Sequence, residues 1–480
     1  MRPGRSLKMR VLSFLPLLVS VCATAVTSSG DERLSMDTNA YSPSDIIKRD
    51  VAIIGGGSSG TYTAVRLRDR GKSVVVIEKR DTLGGHAETW TNPVTGYTVD
   101  LGVVVFARVQ AVTDYFARFN VSLVPLPSIV TKLEYVDFAS GNSVNFTPPS
   151  AESFKTALGT YLVQLEKYPD LQDGFNMSYP VAPDLLLSFR DFVEKYQLEA
   201  LVPQIFASNQ GYSPLLDISM LYIFKYLNAD QVHSFTESLL TTANHNVQEL
   251  YEKIESFLGA DALVSSKVLA MDRASSPSSP WPVRILVQTP AGRKLVLAKK
   301  LVSTPPPLPS QLGGYDLSTR EREIFGQFRA SGYYSGLLNN TGLNESLFAT
   351  GPGHPYNVPV LPGPYAMSIN QGLTQFYYGS PSVMSEDEVK KDVVGRLRKV
   401  QKSRGLSVEG EPEWLAFANH APFNLMVSNE AISKGFYRDL YSLQGRRNTF
   451  YTGAAWHTQD SSVLWKFTDS YLIPAVVAAL

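Results

Sequence analysis

The stretch Asp50–Gly60, DVAIIGGGSSG, decides the reading of this chain. Val51, Ala52, Ile53 and Ile54 form a short apolar run of the kind that makes a fully buried strand. It leads directly into Gly55, Gly57 and Gly60 at the spacing G-x-G-x-x-G. Thr61 to Arg70 reads as a helix, and Ser73 to Ile77 as a second, β-branched strand that ends on Glu78. Gly55 permits the tight turn, Gly57 lets the backbone approach a pyrophosphate, and Gly60 lets the helix pack closely on the strand. The phosphates then meet free N–H groups around Ser59 at the helix N-terminus. Glu78, 18 residues beyond Gly60, is placed to accept hydrogen bonds from an adenosine ribose, with Lys79 beside it. Three spaced glycines alone are a weak signal. The preceding strand, the following helix and the closing acid turn them into a dinucleotide site.

Outside this stretch, 480 residues allow two or three domains, and 44% hydrophobic with 18% charged residues is ordinary globular composition. Basic and acidic residues balance at 44 each, so charge offers no argument for nucleic acid. Arg2, Arg5, Lys8 and Arg10 precede an apolar run from Val11 to Val21, and Ala23-Thr24-Ala25 follows with the small residues of a cleavage site. Residues 1–25 therefore read as a secretory signal peptide; the apolar core is shorter than the roughly 20 residues that span a bilayer, so no stable membrane span is expected. The only cysteine, Cys22, lies within that segment, which leaves no disulfide and no cysteinyl attachment of a cofactor. Sequons at Asn120, Asn145, Asn176, Asn339 and Asn344 agree with a secreted or secretory-lumen protein.

Taken in order, the chain is expected to alternate between two domains. Residues 26–47 read as a polar linker; 48–110, 236–307 and 441–480 as three parts of the nucleotide-binding domain; 111–235 and 308–440 as two parts of a substrate domain. The first substrate part reads as mostly helical, over Ala151–Lys167, Leu185–Tyr196 and Leu215–Leu227. In the second nucleotide part, Val283–Thr289 and Leu295–Val302 read as strands around the turn Pro290-Ala291-Gly292. His233, His245, His354 and His420 show no metal-ligand spacing, so no metal is expected.

The fingerprint, Glu78, the glycine pair Gly84-Gly85 in DTLGGHAETW and the D-L-G of YTVDLGVVVF together resemble the amine-oxidase superfamily of flavoproteins. The resemblance implies an α/β fold with a Rossmann-type FAD-binding domain, of the glutathione-reductase or amine-oxidase type, interleaved with an α+β substrate domain. It places the backbone of Gly84 and Gly85 against the FAD pyrophosphate and ribityl chain, and the backbone of Val268 against adenine. The end of the chain, NTFYTGAAWHTQDSSVLWKF, resembles the closing flavin motif, with Gly453, Ala454 and Ser462 near the ribityl chain and the pyrimidine edge. The sequence departs from the family at His86, where Arg is usual, at Ala454, where Glu is usual, and at the helix start, where glycine is replaced by Ser or Asp460. Arg329–Asn340 also lacks the lysine that many members hold near the flavin.

The IIGGGSSGTYTA and LGGHA segments are most similar to fungal oxidoreductases of the β-cyclopiazonate dehydrogenase type. That likeness implies two-electron oxidation, with or without ring closure, of an amine, indole alkaloid or related secondary metabolite, with oxygen or another electron acceptor. His86 becomes the place to look for a histidyl flavin bond or, equally, a hydrogen bond to pyrophosphate or a carbonyl; His457 is a second candidate for the flavin bond. Trp456, His420 and Tyr333 are the candidates for the catalytic wall. Two other readings stay open: an isomerase or desaturase of apolar acyl or isoprenoid substrates, and a flavin-binding protein without catalysis.

Overall fold

The apolar run lies inside a longer strand, Ile46–Ile54, whose first residues fall in the expected linker. Tertiary pairing extends it: Ile46–Arg49 run parallel to Leu295–Ala298, so hydrogen bonds across the sheet order the end of a segment whose composition is mostly polar. The structure, a computed structural model, describes residues 34–126, 133–208, 211–274, 279–408 and 410–480. The expected signal peptide, Cys22 and linker residues 26–33 lie outside the described residues. Leu34 and Ser35 belong to a separate N-terminal unit, Met1–Ser35, and Met36–Leu480 forms the second unit.

The fingerprint helix runs Ser58–Arg68, starting earlier than the pattern predicted because its first turn is formed by the fingerprint residues themselves. The central sheet has seven strands. Its spatial order is Lys267–Asp272, Val283–Thr289, Gly292–Ser303, Ile46–Ile54, Val74–Ile77 and Ala262–Leu263, with Thr449–Tyr451 paired alongside Gly292–Ser303. Three stretches far apart in sequence thus build one sheet. Alternate residues of its central strands enter two different cores. Val51, Ile53, Val74 and Val76 pack with Val65, Leu67 and Trp465. Ala52, Ile54, Val75 and Ile77 face the larger core, which contains most of the helical cap.

Within that cap, two predicted helices are shorter than expected. Phe189–Tyr196 and Met220–Tyr226 are helical, but the segments before them, Pro183–Leu186 and Leu215–Asp217, are separate 3₁₀ turns. A bridge divides them: the Phe189 N–H donates to Ile218 O and the Met220 N–H to Leu187 O, both at 2.8 Å. Long-range backbone pairing here outweighs local helical periodicity.

A second seven-stranded sheet has the order Glu413–Asn419, Gly332–Asn339, Leu373–Ser380, Gly363–Asn370, Ser346–Ala349, Leu133–Asp137 and Asn142–Ser143. The helix Glu386–Ser403, opened by a capping box between Ser385 and Glu388, packs Val389, Val393, Leu397 and Val400 with Tyr334, Met367, Phe376 and Tyr378 from this sheet. The side-chain alternation of a strand leaves the neighbouring residues to face the other way.

Candidate active site

The uncapped start of the fingerprint helix is where the site begins. Gly57 is the N-cap and offers no side chain to the first N–H groups, which therefore stay available to an anion. Backbones close in around this point. Gly84 N–H donates to Gly56 O at 2.9 Å. A Cβ on Gly60 would lie 1.9 Å from Gly55 O, and one on Gly85 would lie 2.9 Å from Gly57 Cα. The carboxylate of Glu78 accepts from Gly56 N–H at 2.6 Å and from Arg80 N–H at 2.8 Å, which fixes it at the end of the second strand.

From these glycines a cavity of about 980 Å³ runs to the second sheet. Among the predicted cofactor residues, Gly55, Gly57, Ser59, Glu78, Lys79, Gly84, Gly85, His86, Val268, Gly453 and Ala454 line it. Gly60 does not; it supports the cradle through its close packing on Gly55. Ser462 does not line it either, because its hydroxyl accepts from Ala107 N–H at 3.0 Å. The helix Ser461–Phe467 is capped by Asp460, whose carboxylate accepts from Ser462 N–H at 2.8 Å and from Gln231 at 2.7 Å. Ser461 faces the cavity, with its hydroxyl bonded to that of Ser58 at 2.8 Å. The cradle, the free helix N-terminus and the acid at the second strand together fit an FAD.

At the far end, Tyr333 and His420 line the cavity. Their rings stack at 5.2 Å and 21°, and His86 meets His420 edge-on at 5.0 Å. Burial lowers the pKa of both His86 and His420, so both imidazoles are neutral. His420 Nε2 lies 3.1 Å from Leu101 O, which can only accept, so Nε2 carries the proton. Nδ1 is then a buried acceptor with no hydrogen-bond partner among the described residues.

Two expectations need correction. Trp456 is not in the cavity wall; it is 1% exposed and stacks on Tyr451 at 5.2 Å, behind the closing motif. His457 also points away: its Nε2 meets Gln172 O at 2.9 Å and buried Lys225 at 3.3 Å, which removes it as a flavin-bonding candidate. The turn Ala454–Trp456 after Gly453 carries both side chains into the protein interior.

Tyr226, one of the aromatics whose frequency in the first substrate part suits a substrate cap, lines the cavity, and sequence reasoning missed Tyr365 and Tyr377 beside it. A signal was present in the tyrosine pairs Tyr333-Tyr334 and Tyr377-Tyr378, since in a strand two adjacent residues take opposite faces. Tyr334 and Tyr378 lie directly across from each other and turn to the helix, leaving Tyr333 and Tyr377 to the cavity. Among the described residues, no cluster of three or more candidate metal ligands occurs, and no helix is long and apolar enough to cross a membrane.

Comparison with known proteins agrees with this geometry. A family described as an NAD(P)-binding Rossmann-like domain matches residues 53–119. The chain is 39% identical to the FAD-dependent oxidoreductase oblC of Cochliobolus heterostrophus, over 98% of this chain and 99% of that protein. It is 36% identical to the FAD-dependent oxidoreductase pigF of Monascus ruber, over 98% and 100% respectively. With beta-cyclopiazonate dehydrogenase of Aspergillus oryzae it shares 32% over 90% of this chain and 94% of the relative. Among solved structures, a fatty acid isomerase from P. acnes superposes with TM-score 0.70 at 19% identity, covering 89% of this chain and 98% of that one. Putrescine oxidase superposes with TM-score 0.62 at 16% identity, covering 90% and 100%. These last two are likenesses of fold.

Proposed function

The chain belongs to the family of fungal FAD-dependent oxidoreductases, and from that premise we propose that it performs a two-electron oxidation of an amine, indole alkaloid or related secondary metabolite. The carrying observation is the single cavity that joins the nucleotide cradle to the Tyr333–His420 wall. FAD, when bound, supplies the hydride acceptor. The chain's own residues do the rest. The glycine cradle and the helix N-terminus hold the pyrophosphate, and Glu78 takes the ribose. Tyr333, Phe423 and Leu425 exclude water from the reacting end. Neutral His86 and His420 are the imidazoles of this wall; His420 Nδ1 is fully buried and unpartnered among the described residues, so His420 shapes the wall through its bond to Leu101 O.

His86 lines the cavity and His457 does not, which supports His86 as the point of any histidyl attachment. Acid precipitation tests this: we expect the yellow colour to stay with the pellet of the wild type and to wash out of His86→Ala. Colour in the wild-type supernatant would leave His86 a contact residue. All five sequon asparagines are exposed, which supports passage through a secretory route. A mobility shift on enzymatic deglycosylation of the native protein is the check.

The oxidation itself is tested by anaerobic mixing of the purified protein with β-cyclopiazonate and simpler prenylated indoles. Bleaching of the visible flavin band, with formation of a product two hydrogens poorer, is expected. A rearranged product of unchanged oxidation state would replace this reading with an isomerase, and a flavin that no member of the panel bleaches would overturn it.

A further inference from the structure

The cavity is divided by charge. Its charged lining residues among those described are Glu78, Lys79, Arg80, Lys267 and Asp460. Glu78 and Arg80 are tied into the cradle, Arg80 by Gly85 O at 2.8 Å and by Glu88. Lys79 and Lys267 are exposed residues beside Glu78 and Val268, at the expected ribose and adenine end. Asp460 is committed to Ser462 N–H and Gln231. Where the second sheet forms the wall, the described lining is wholly uncharged.

That wall has a chemistry of its own. On one face of the sheet, Ser335 follows Tyr333 by two residues and lies opposite Tyr377, so Tyr333 and Tyr377 share a face. The next strand carries a register shift between Pro364 and Ala366, and the bulge brings Tyr365 to the same cavity. The rings of Tyr333 and Tyr365 lie 6.5 Å apart and 26° from parallel. The two hydroxyls lie within electrostatic reach of each other and of those of Tyr226 and Tyr377. Burial raises the pKa of all four, Tyr377 to about 12, so each keeps its proton. Phe348, Phe423 and Leu425 complete an apolar surround.

We propose that Tyr226, Tyr333, Tyr365 and Tyr377 form a specificity site for an uncharged ring system bearing a carbonyl or hydroxyl oxygen, and that cationic amines are excluded from it. This rests on the oxidoreductase reading and narrows it: any nitrogen in the substrate is of the indole or amide kind, without charge. The apolar walls bind the rings, and the tyrosine hydroxyls meet the oxygen. An ammonium group entering here would give up its hydration and find no free carboxylate among the described lining residues: Asp460, whose charge reaches Tyr226, is held by Ser462 N–H and Gln231, and Asp100, whose charge reaches Tyr377, lies outside the lining.

The test uses the oxidised FAD-loaded full-length protein and three ligands of one shape: β-naphthol, naphthalene and naphthylmethylamine. Binding is followed by perturbation of the visible flavin spectrum and by equilibrium dialysis, neither of which requires turnover. β-Naphthol is expected to bind about tenfold tighter than naphthalene, the worth of one good buried hydrogen bond. Naphthylmethylamine, a cation at neutral pH, is expected to bind at least about tenfold more weakly than naphthalene. In Tyr333→Phe, and separately in Tyr365→Phe, the naphthol preference is expected to fall to within about twofold, the loss of a single hydroxyl contact. Tyr378→Phe, on the opposite face of the same sheet, should keep the preference and so reports on general damage.

Equal binding of β-naphthol and naphthalene to the wild type would overturn the proposal, as would a preference that survives both tyrosine substitutions. Tight binding of naphthylmethylamine, or bleaching of the flavin by it, would overturn it too while leaving the oxidoreductase reading intact. Flavin that no substrate reduces would instead defeat that reading, whatever the ligands show.

Discussion

Two sets of glycines do opposite work in this molecule. Around the nucleotide cradle they are where backbones touch: a Cβ on Gly60 would meet Gly55 O at 1.9 Å, and one on Gly102 would meet His86 O at 1.7 Å. In the substrate half, Gly159 in the helix Ala151–Leu165 and Gly395 in the helix Glu386–Ser403 have nothing within 4 Å of that position. The contrast separates a site made by main-chain approach from one made by side chains on a chosen sheet face. The same substitution, Gly to Ala, should therefore abolish one function and improve stability elsewhere.

The largest effect is expected at Gly60. Gly60→Ala forces a backbone carbonyl to move, and overpacking against main chain costs about 3 kcal/mol or more. The protein should purify without bound FAD and unfold at a lower temperature; flavin absorbance per protein after gel filtration is the measurement. A Gly60→Ala protein with full flavin content would end the claim that backbone approach defines the cradle.

Next in size is the junction between the halves. Arg273, with a fully buried side chain, bonds Asp316 at 2.6 Å and Glu321 at 2.7 Å, and Arg447 joins both acids. Removing Arg273 leaves buried Glu321 with the more distant Arg447, at 3.4 Å, as its counter-charge, a loss that costs up to about 3–5 kcal/mol. Arg273→Met should therefore lower the unfolding temperature sharply. The cluster does not line the cavity, so flavin content should be retained in whatever remains folded.

A pH dependence sharpens this. Burial resists ionisation of Glu321, but hydrogen bonds from Arg273 and Tyr451 outweigh it and hold the carboxyl down at about 2, against an ordinary 4.5. The folded pKa lies below the unfolded one, so the contribution is complete above the ordinary value and is lost as pH falls toward about 2. Melting temperatures recorded across that range should fall less steeply for Glu321→Gln than for the wild type. Parallel slopes would show that Glu321 carries no special share of acid stability.

How much of this was legible in the sequence follows the same division. The fingerprint, Glu78 and Gly84-Gly85 were readable because their constraint is local: a turn, a helix start and a tight approach each demand a glycine or an acid at fixed spacing. The closing motif was readable as strand, glycine and helix, but the directions of Trp456 and His457 were not. Those depend on the conformation of Gly453, at φ +108°, and on the turn that follows it. The tyrosine wall was less legible still. Its membership needs the pairing of three strands and one bulge between Pro364 and Ala366, and no run of sequence contains that register. His420 and Tyr333 were found individually; that they stack, and that Leu101 fixes the imidazole tautomer, required contacts across more than 80 and 300 residues of chain.

The smallest effect completes the comparison at Gly395. Val393 and Leu397 of the same helix face the second sheet, and Gly395, two residues from each, lies exposed on the opposite side. Alanine there gains no packing. It acts by removing backbone freedom from the unfolded chain and by its higher helix propensity, together worth about 0.5–1 kcal/mol. Gly395→Ala should raise the unfolding temperature slightly while leaving flavin content and the naphthol preference unchanged. Because nothing lies near the new methyl, a loss of stability could not be assigned to a clash. It would mean that this helix needs its glycine for a reason other than space, and the division between touching and open glycines would fail as a guide to substitution.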